Sequence, residues 1–116
     1  MMTILILIVI AFSYAQDEVE SIIENIQQGN LDNAKEVLLK YQNINPNEPA
    51  TMFLSALLET DGEKAKDKFL EVYKRHSSSK YGDDSVMKIS EFYYTNGSYI
   101  KASEWLKRIP LFYSRS

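Results

Sequence analysis

GNLDNAKEVLLKY (residues 29–41), TDGEKAKDKFLEV (60–72) and GSYIKASEWLKRI (97–109) align without a gap. Each has a turn residue, then a small residue (Ala34, Ala65, Ala102), then a bulky apolar residue four positions on (Leu38, Phe69, Leu106). The alanines stand 31 and 37 residues apart, a mean of 34. A unit of that length is one supersecondary element, too small to bury its own apolar face, so successive units must stack. An alanine at a fixed place in each lets the two helices of a hairpin approach closely.

The stretches between these segments carry helical periodicity and no strand alternation. Residues 17–28 put Val19, Ile22, Ile23 and Ile26 on one face and stop at Gly29; a second helix, about 31–41, does the same with Leu31, Ala34, Val37, Leu38 and Tyr41 and stops before Pro46. Pro49 suits the first turn of a third helix bearing Met52, Phe53, Ala56, Leu57 and Leu58, ended by Asp61-Gly62. A fourth, 63–76, shows Ala65, Phe69, Val72 and Tyr73, and a polar loop over 77–82 follows. A fifth, 83–95, presents Val86, Ile89, Phe92 and Tyr93; a sixth, 98–109, presents Ala102, Trp105, Leu106 and Ile109. Six helices on short turns predict three antiparallel pairs. The expected class is all-α.

The three aligned segments resemble the second helix of the tetratricopeptide repeat (TPR), whose period is 34 residues. In the third unit Ser90 and Tyr93 occupy the places that family gives to a small and an aromatic residue, and Pro46 sits where a repeat ends. Ile22 and Asn25 depart from that pattern in the first unit, as a terminal, capping repeat often does. The run FLEVYKRHSSSKYGDDSVMKISEFYYTNGSYIKASEWL (69–106) is similar to the repeats of bacterial envelope proteins, such as the outer-membrane assembly lipoprotein and the Tol-Pal cell-division coordinator. Tyr73, Ser77 to Ser79, Tyr81 and Asp83-Asp84 carry the likeness, although a chain with no cysteine cannot take a lipoprotein anchor. The resemblance implies an α-solenoid of about three helix-turn-helix units (17–46, 47–79 and 80–110) that binds a peptide or partner protein in a groove. A plainer account of the loop is that its serines and Asp83 cap a helix N-terminus.

Residues 1–15 stand apart: 13 of the 15 are apolar and none is charged. ILILIVIAF runs into Ser13-Tyr14-Ala15, the layout of a secretory signal peptide cleaved before Gln16. The apolar run is well short of the roughly 20 residues that span a bilayer. No Lys or Arg precedes it, so an uncleaved anchor or a mis-assigned start stays open, as does a buried core segment. Export to the periplasm or envelope is the expectation, with no stable membrane span after cleavage. The remaining 101 residues (16–116) hold all 29 charged side chains, with net charge −3 and no basic cluster, which argues against a nucleic-acid partner.

Catalytic chemistry is not expected. With no cysteine and the single histidine His76, thiolate zinc sites, disulfides and paired-histidine metal sites are excluded. His76 follows Lys74-Arg75 at a helix C-terminus, and Asp17-Glu18 and Asp83-Asp84 fall in first turns, where charges of those signs are favourable. No Gly-rich phosphate loop or nucleophile turn is present, and no cofactor is expected. Asn96-Gly97-Ser98 matches a glycosylation acceptor and also suits an interhelix turn. Phe92 and Tyr93 fit a buried face. Met87, Glu91 and Tyr94, spaced by four and three, fall on the concave side of the fifth helix and are the candidate partner-binding stripe. The end of the chain, with Trp105, Leu106, Phe112 and Tyr113 poorly covered, fits either self-association or the front part of a longer array.

Overall fold

A computed structural model describes residues 18–109. The expected signal segment at 1–15, Asp17, and Phe112 and Tyr113 lie outside the described residues. Within them the chain forms six helices and no strand: α1 (18–27), α2 (Ala34–Ile44), α3 (Pro49–Leu58), α4 (Gly62–Arg75), α5 (Lys80–Thr95) and α6 (Tyr99–Leu106). The all-α class follows from that order. The described residues divide into two compact units, 18–54 and 55–109, with the boundary inside α3.

In the first unit Val19, Ile22 and Ile23 of α1 and Ala34, Val37 and Tyr41 of α2 are buried, while Ile26 is half-buried. The pair is clasped at Glu18. Its carboxylate accepts from the Tyr41 hydroxyl and from Lys40 Nζ at 3.1 Å. These bonds, Tyr41's first, hold the Glu18 carboxyl below its ordinary pKa. A depressed folded pKa stabilises the native state at neutral pH, and that contribution is lost as pH falls through it.

α2 starts at Ala34 and not at Leu31, whose side chain is 62% exposed. The delay has a local cause. Asn30 Oδ1 accepts from Asp32 N at 2.9 Å, and Asn33 adopts φ 63, so the chain turns once before the helix can begin. The helix then runs on to Ile44, because only at Asn45, which precedes Pro46 and is extended, does the proline forbid helical geometry. α3 carries the largest fully buried side chains of its unit, Phe53 and Leu54. Leu54 was not among the apolar positions expected to turn inward.

In the second unit α4 packs on α5 and α5 on α6. Asp61 caps α4 by accepting from Lys64 N at 3.0 Å, and Lys74 and Arg75 end it with the favourable charge. His76 is its C-cap, half-buried, its N–H donating to Val72 O at 2.8 Å. Lys68 ties α4 to the end of α3, donating to Ser55 Oγ and Glu59 Oε2, each at 3.2 Å.

α5 begins at Lys80, three residues before its expected start, so Tyr81 and Gly82 belong to the helix and not to the loop. Tyr81 and Gly82 are both buried there. Burying a tyrosine outweighs the roughly 1 kcal/mol that glycine costs a helix. The serine loop does not cap as expected: Ser79 takes the N-cap position, but its hydroxyl donates to His76 O at 2.7 Å and accepts nothing from the helix. Gly82 meets that loop backbone to backbone. A Cβ on it would lie 2.5 Å from Ser77 O and 2.9 Å from Ser77 Cα.

Gly82→Ala is therefore expected to destabilise the chain by about 1–3 kcal/mol, as overpacking does, despite alanine's better helix propensity. Urea denaturation followed by circular dichroism measures it; a midpoint equal to or above the parent's would contradict the close approach.

Candidate functional site

α5 and α6 form a tight hairpin. Asn96 Nδ2 donates to Phe92 O at 2.7 Å, Gly97 takes φ 82, and Ser98 N donates back to Tyr93 O at 2.8 Å. Asn96-Gly97-Ser98 thus works as the interhelix turn, with the left-handed step at its glycine. Between the two helices Ser90 Oγ donates to Ala102 O at 2.8 Å, and both residues are buried. The alanine of the third aligned segment is the reason the contact can close. Its counterpart Ala34 is also buried, whereas Ala65 is half-buried.

Beside this contact runs a groove of about 640 Å³ with an almost wholly apolar lining. Met87, Ser90, Glu91 and Tyr94 form its α5 wall. Tyr99, Ala102, Ser103 and Leu106 form its α6 wall, and Thr95, the last residue of α5, also lines it. Met87, Glu91 and Tyr94, the three residues singled out from spacing, are thereby brought together on one surface. Tyr94 is 63% exposed and meets Tyr99 edge to face, centroids 5.1 Å apart. Glu91 reaches Lys88 Nζ at 3.6 Å along its own helix. It is the only charged side chain of the lining among the described residues.

The other aromatic residues are engaged elsewhere. Phe92 and Tyr93 are half-buried against each other at 5.4 Å, with Lys66 and Lys101 ammoniums over their respective rings. Trp105 is half-buried, edge to face with Tyr73 at 5.6 Å, and the Arg108 guanidinium lies 3.8 Å over its ring. The expectation that Trp105 is poorly covered is therefore corrected, since two side chains cover it. Spacing on α5 alone missed the whole α6 wall. The signal for it was present, because Tyr99, Ala102, Ser103 and Leu106 repeat at helical period across a turn of two to three residues.

No family model, curated protein or solved structure matches this chain. Among the described residues no group of three or more His, Cys, Asp or Glu side chains could hold a metal ion. No helix there is long and apolar enough to cross a membrane.

One carboxyl of α5 is perturbed, and it lies outside the groove. Burial pushes Asp84 above its ordinary pKa; Asp83 adds to the shift, while Lys80 and Lys88 oppose it. A folded pKa raised above the unfolded value means that Asp84's contribution is fully present below the unfolded pKa and is lost as pH rises through the folded one. Asp84→Asn removes that loss. It is expected to raise stability at pH 7 by less than about 1 kcal/mol, since the site is partly solvated, and to give no gain at pH 3. Thermal melts of parent and variant at both pH values test this; equal shifts at both would contradict it.

Proposed function

We propose that this chain is a non-catalytic interaction module of the cell envelope that takes a peptide or partner protein in the α5–α6 groove. The single observation that carries this reading is the groove itself, open, almost wholly apolar and walled by two adjacent helices. Apolar concavities of this kind are ordinarily sites where something binds. Among the described residues its lining carries one carboxylate, Glu91, on an otherwise almost wholly apolar surface, which favours recognition by apolar contact.

The architecture in this reading is an α-solenoid of about three TPR-like repeats, units 17–46, 47–79 and 80–110, behind a signal peptide at 1–15 that directs the chain to the periplasm or envelope. Support comes from the helix order, which sets a helix pair in each proposed unit, and from the burial of Ala34 and Ala102 at equivalent places. The composition of residues 1–15 and the absence of any charge there support export.

A second reading, self-association through the same end of the chain, draws on Ile100, which is 78% exposed next to the groove. One experiment separates the two. A photo-crosslinking residue at Tyr94 is expected to give a discrete adduct in the producing cells, while the same residue at exposed Leu39 gives none. An adduct at twice the chain's mass favours self-association. No adduct from Tyr94 would contradict both.

A further inference from the structure

The two walls of the groove share one spacing. Met87, Ser90, Glu91 and Tyr94 stand at i, i+3, i+4 and i+7 of α5, and Tyr99, Ala102, Ser103 and Leu106 stand at the same offsets of α6. The middle of the α6 wall is low (Ala102, Ser103), and so is the floor at Ser90, while Met87, Tyr94, Tyr99 and Leu106 are bulky at the ends. Adjacent helices with ridges of that period and a low centre make the trough into which a third helix's ridge packs. Seven rises of about 1.5 Å give each wall about 10 Å, or two helical turns.

Backbone chemistry points the same way. An extended segment laid on this lining would bring N–H and C=O groups against a surface with almost nothing to bond them. A helix arrives with those groups already bonded to one another. Charge then narrows the choice. Among the described residues Glu91 is the lining's only charged side chain; it keeps 58% exposure and its ion-pair partner is Lys88, i,i+3 along its own helix at 3.6 Å. Exposed pairs of that kind are weak and exchange readily for a cation brought by a ligand.

We propose that the groove takes an amphipathic α-helix of a partner protein, two turns of apolar side chains at i, i+3, i+4 and i+7 flanked by a lysine or arginine that meets Glu91. The proposal rests on the groove being a binding site, and it names what binds. Helix-in-groove recognition is read through anchors at that spacing.

The full chain is panned against two displayed peptide libraries of equal length. One is an alanine-rich helical scaffold randomised on one face and its flanks; the other carries proline at every third position, which holds the peptide extended. Enrichment is expected from the helical library, with apolar residues at the four face positions and Lys or Arg at one flank. In fluorescence anisotropy the selected peptide is expected to bind Tyr94→Ala at least about tenfold more weakly, the size of an aromatic anchor's loss. Panning against Glu91→Lys is expected to select Asp or Glu at the same flank. Circular dichroism matching the parent shows that both variants fold. Enrichment confined to the proline library overturns the helix and leaves the groove reading standing. No enrichment from either library, or binding indifferent to Tyr94→Ala, overturns both. A dimer that Tyr94→Ala disperses gives the groove to a second copy and overturns the proposal.

Discussion

α6 has eight residues, too few to hold its own backbone hydrogen bonds in water as an isolated helix. It exists because Ala102 lets it seat on α5, where the Ser90 hydroxyl donates to the Ala102 carbonyl at 2.8 Å. Everything that makes the candidate site follows from that contact. It sets the two walls side by side, places Tyr94 against Tyr99, and leaves an apolar trough open beside them. α5 can serve as the base because it is itself held by α4 and by the backbone contact of Gly82 with Ser77.

The charged groups sort by what they hold. Glu18 gains two donors and works for the native state at neutral pH, whereas Asp84 is partly desolvated and works against it there. The Asp67 carboxylate, first among its neighbours, raises the pKa of Lys66, whose ammonium lies over Phe92, and Lys101 lies over Tyr93. Cations thus cover Phe92 and Tyr93, which are not among the groove's lining residues, while Tyr94 and Tyr99 are left exposed. The exposed aromatic surface is concentrated where the apolar lining is.

Much of the fold was legible because apolar spacing and punctuation agreed. Val19, Ile22 and Ile23, Val37 and Tyr41, and Val86 and Ile89 all turn inward as their period requires. Asp61 and Gly97 mark helix boundaries by chemistry visible in the sequence. Pattern gives way where tertiary contact or a local turn overrides it. Lys80 starts α5 because burial of Tyr81 outweighs a glycine in the first turn, and Leu31 is left exposed because Asn30 and Asn33 spend those residues on a turn. A third of the candidate site was legible as the stripe Met87, Glu91 and Tyr94, three of its nine lining residues. The α6 wall was not, since it depends on which face of a second helix meets the first, and only packing decides that.

Native-state amide hydrogen exchange in α6 tests this dependence most directly. Amides in the 102–106 turn should exchange only through an opening that also exposes Val86 and Ile89 of α5, with one common free energy, and Ser90→Ala should lower both alike. If α6 amides exchange orders of magnitude faster while those of α5 keep full protection, the hairpin is not one unit and the groove has no stable second wall.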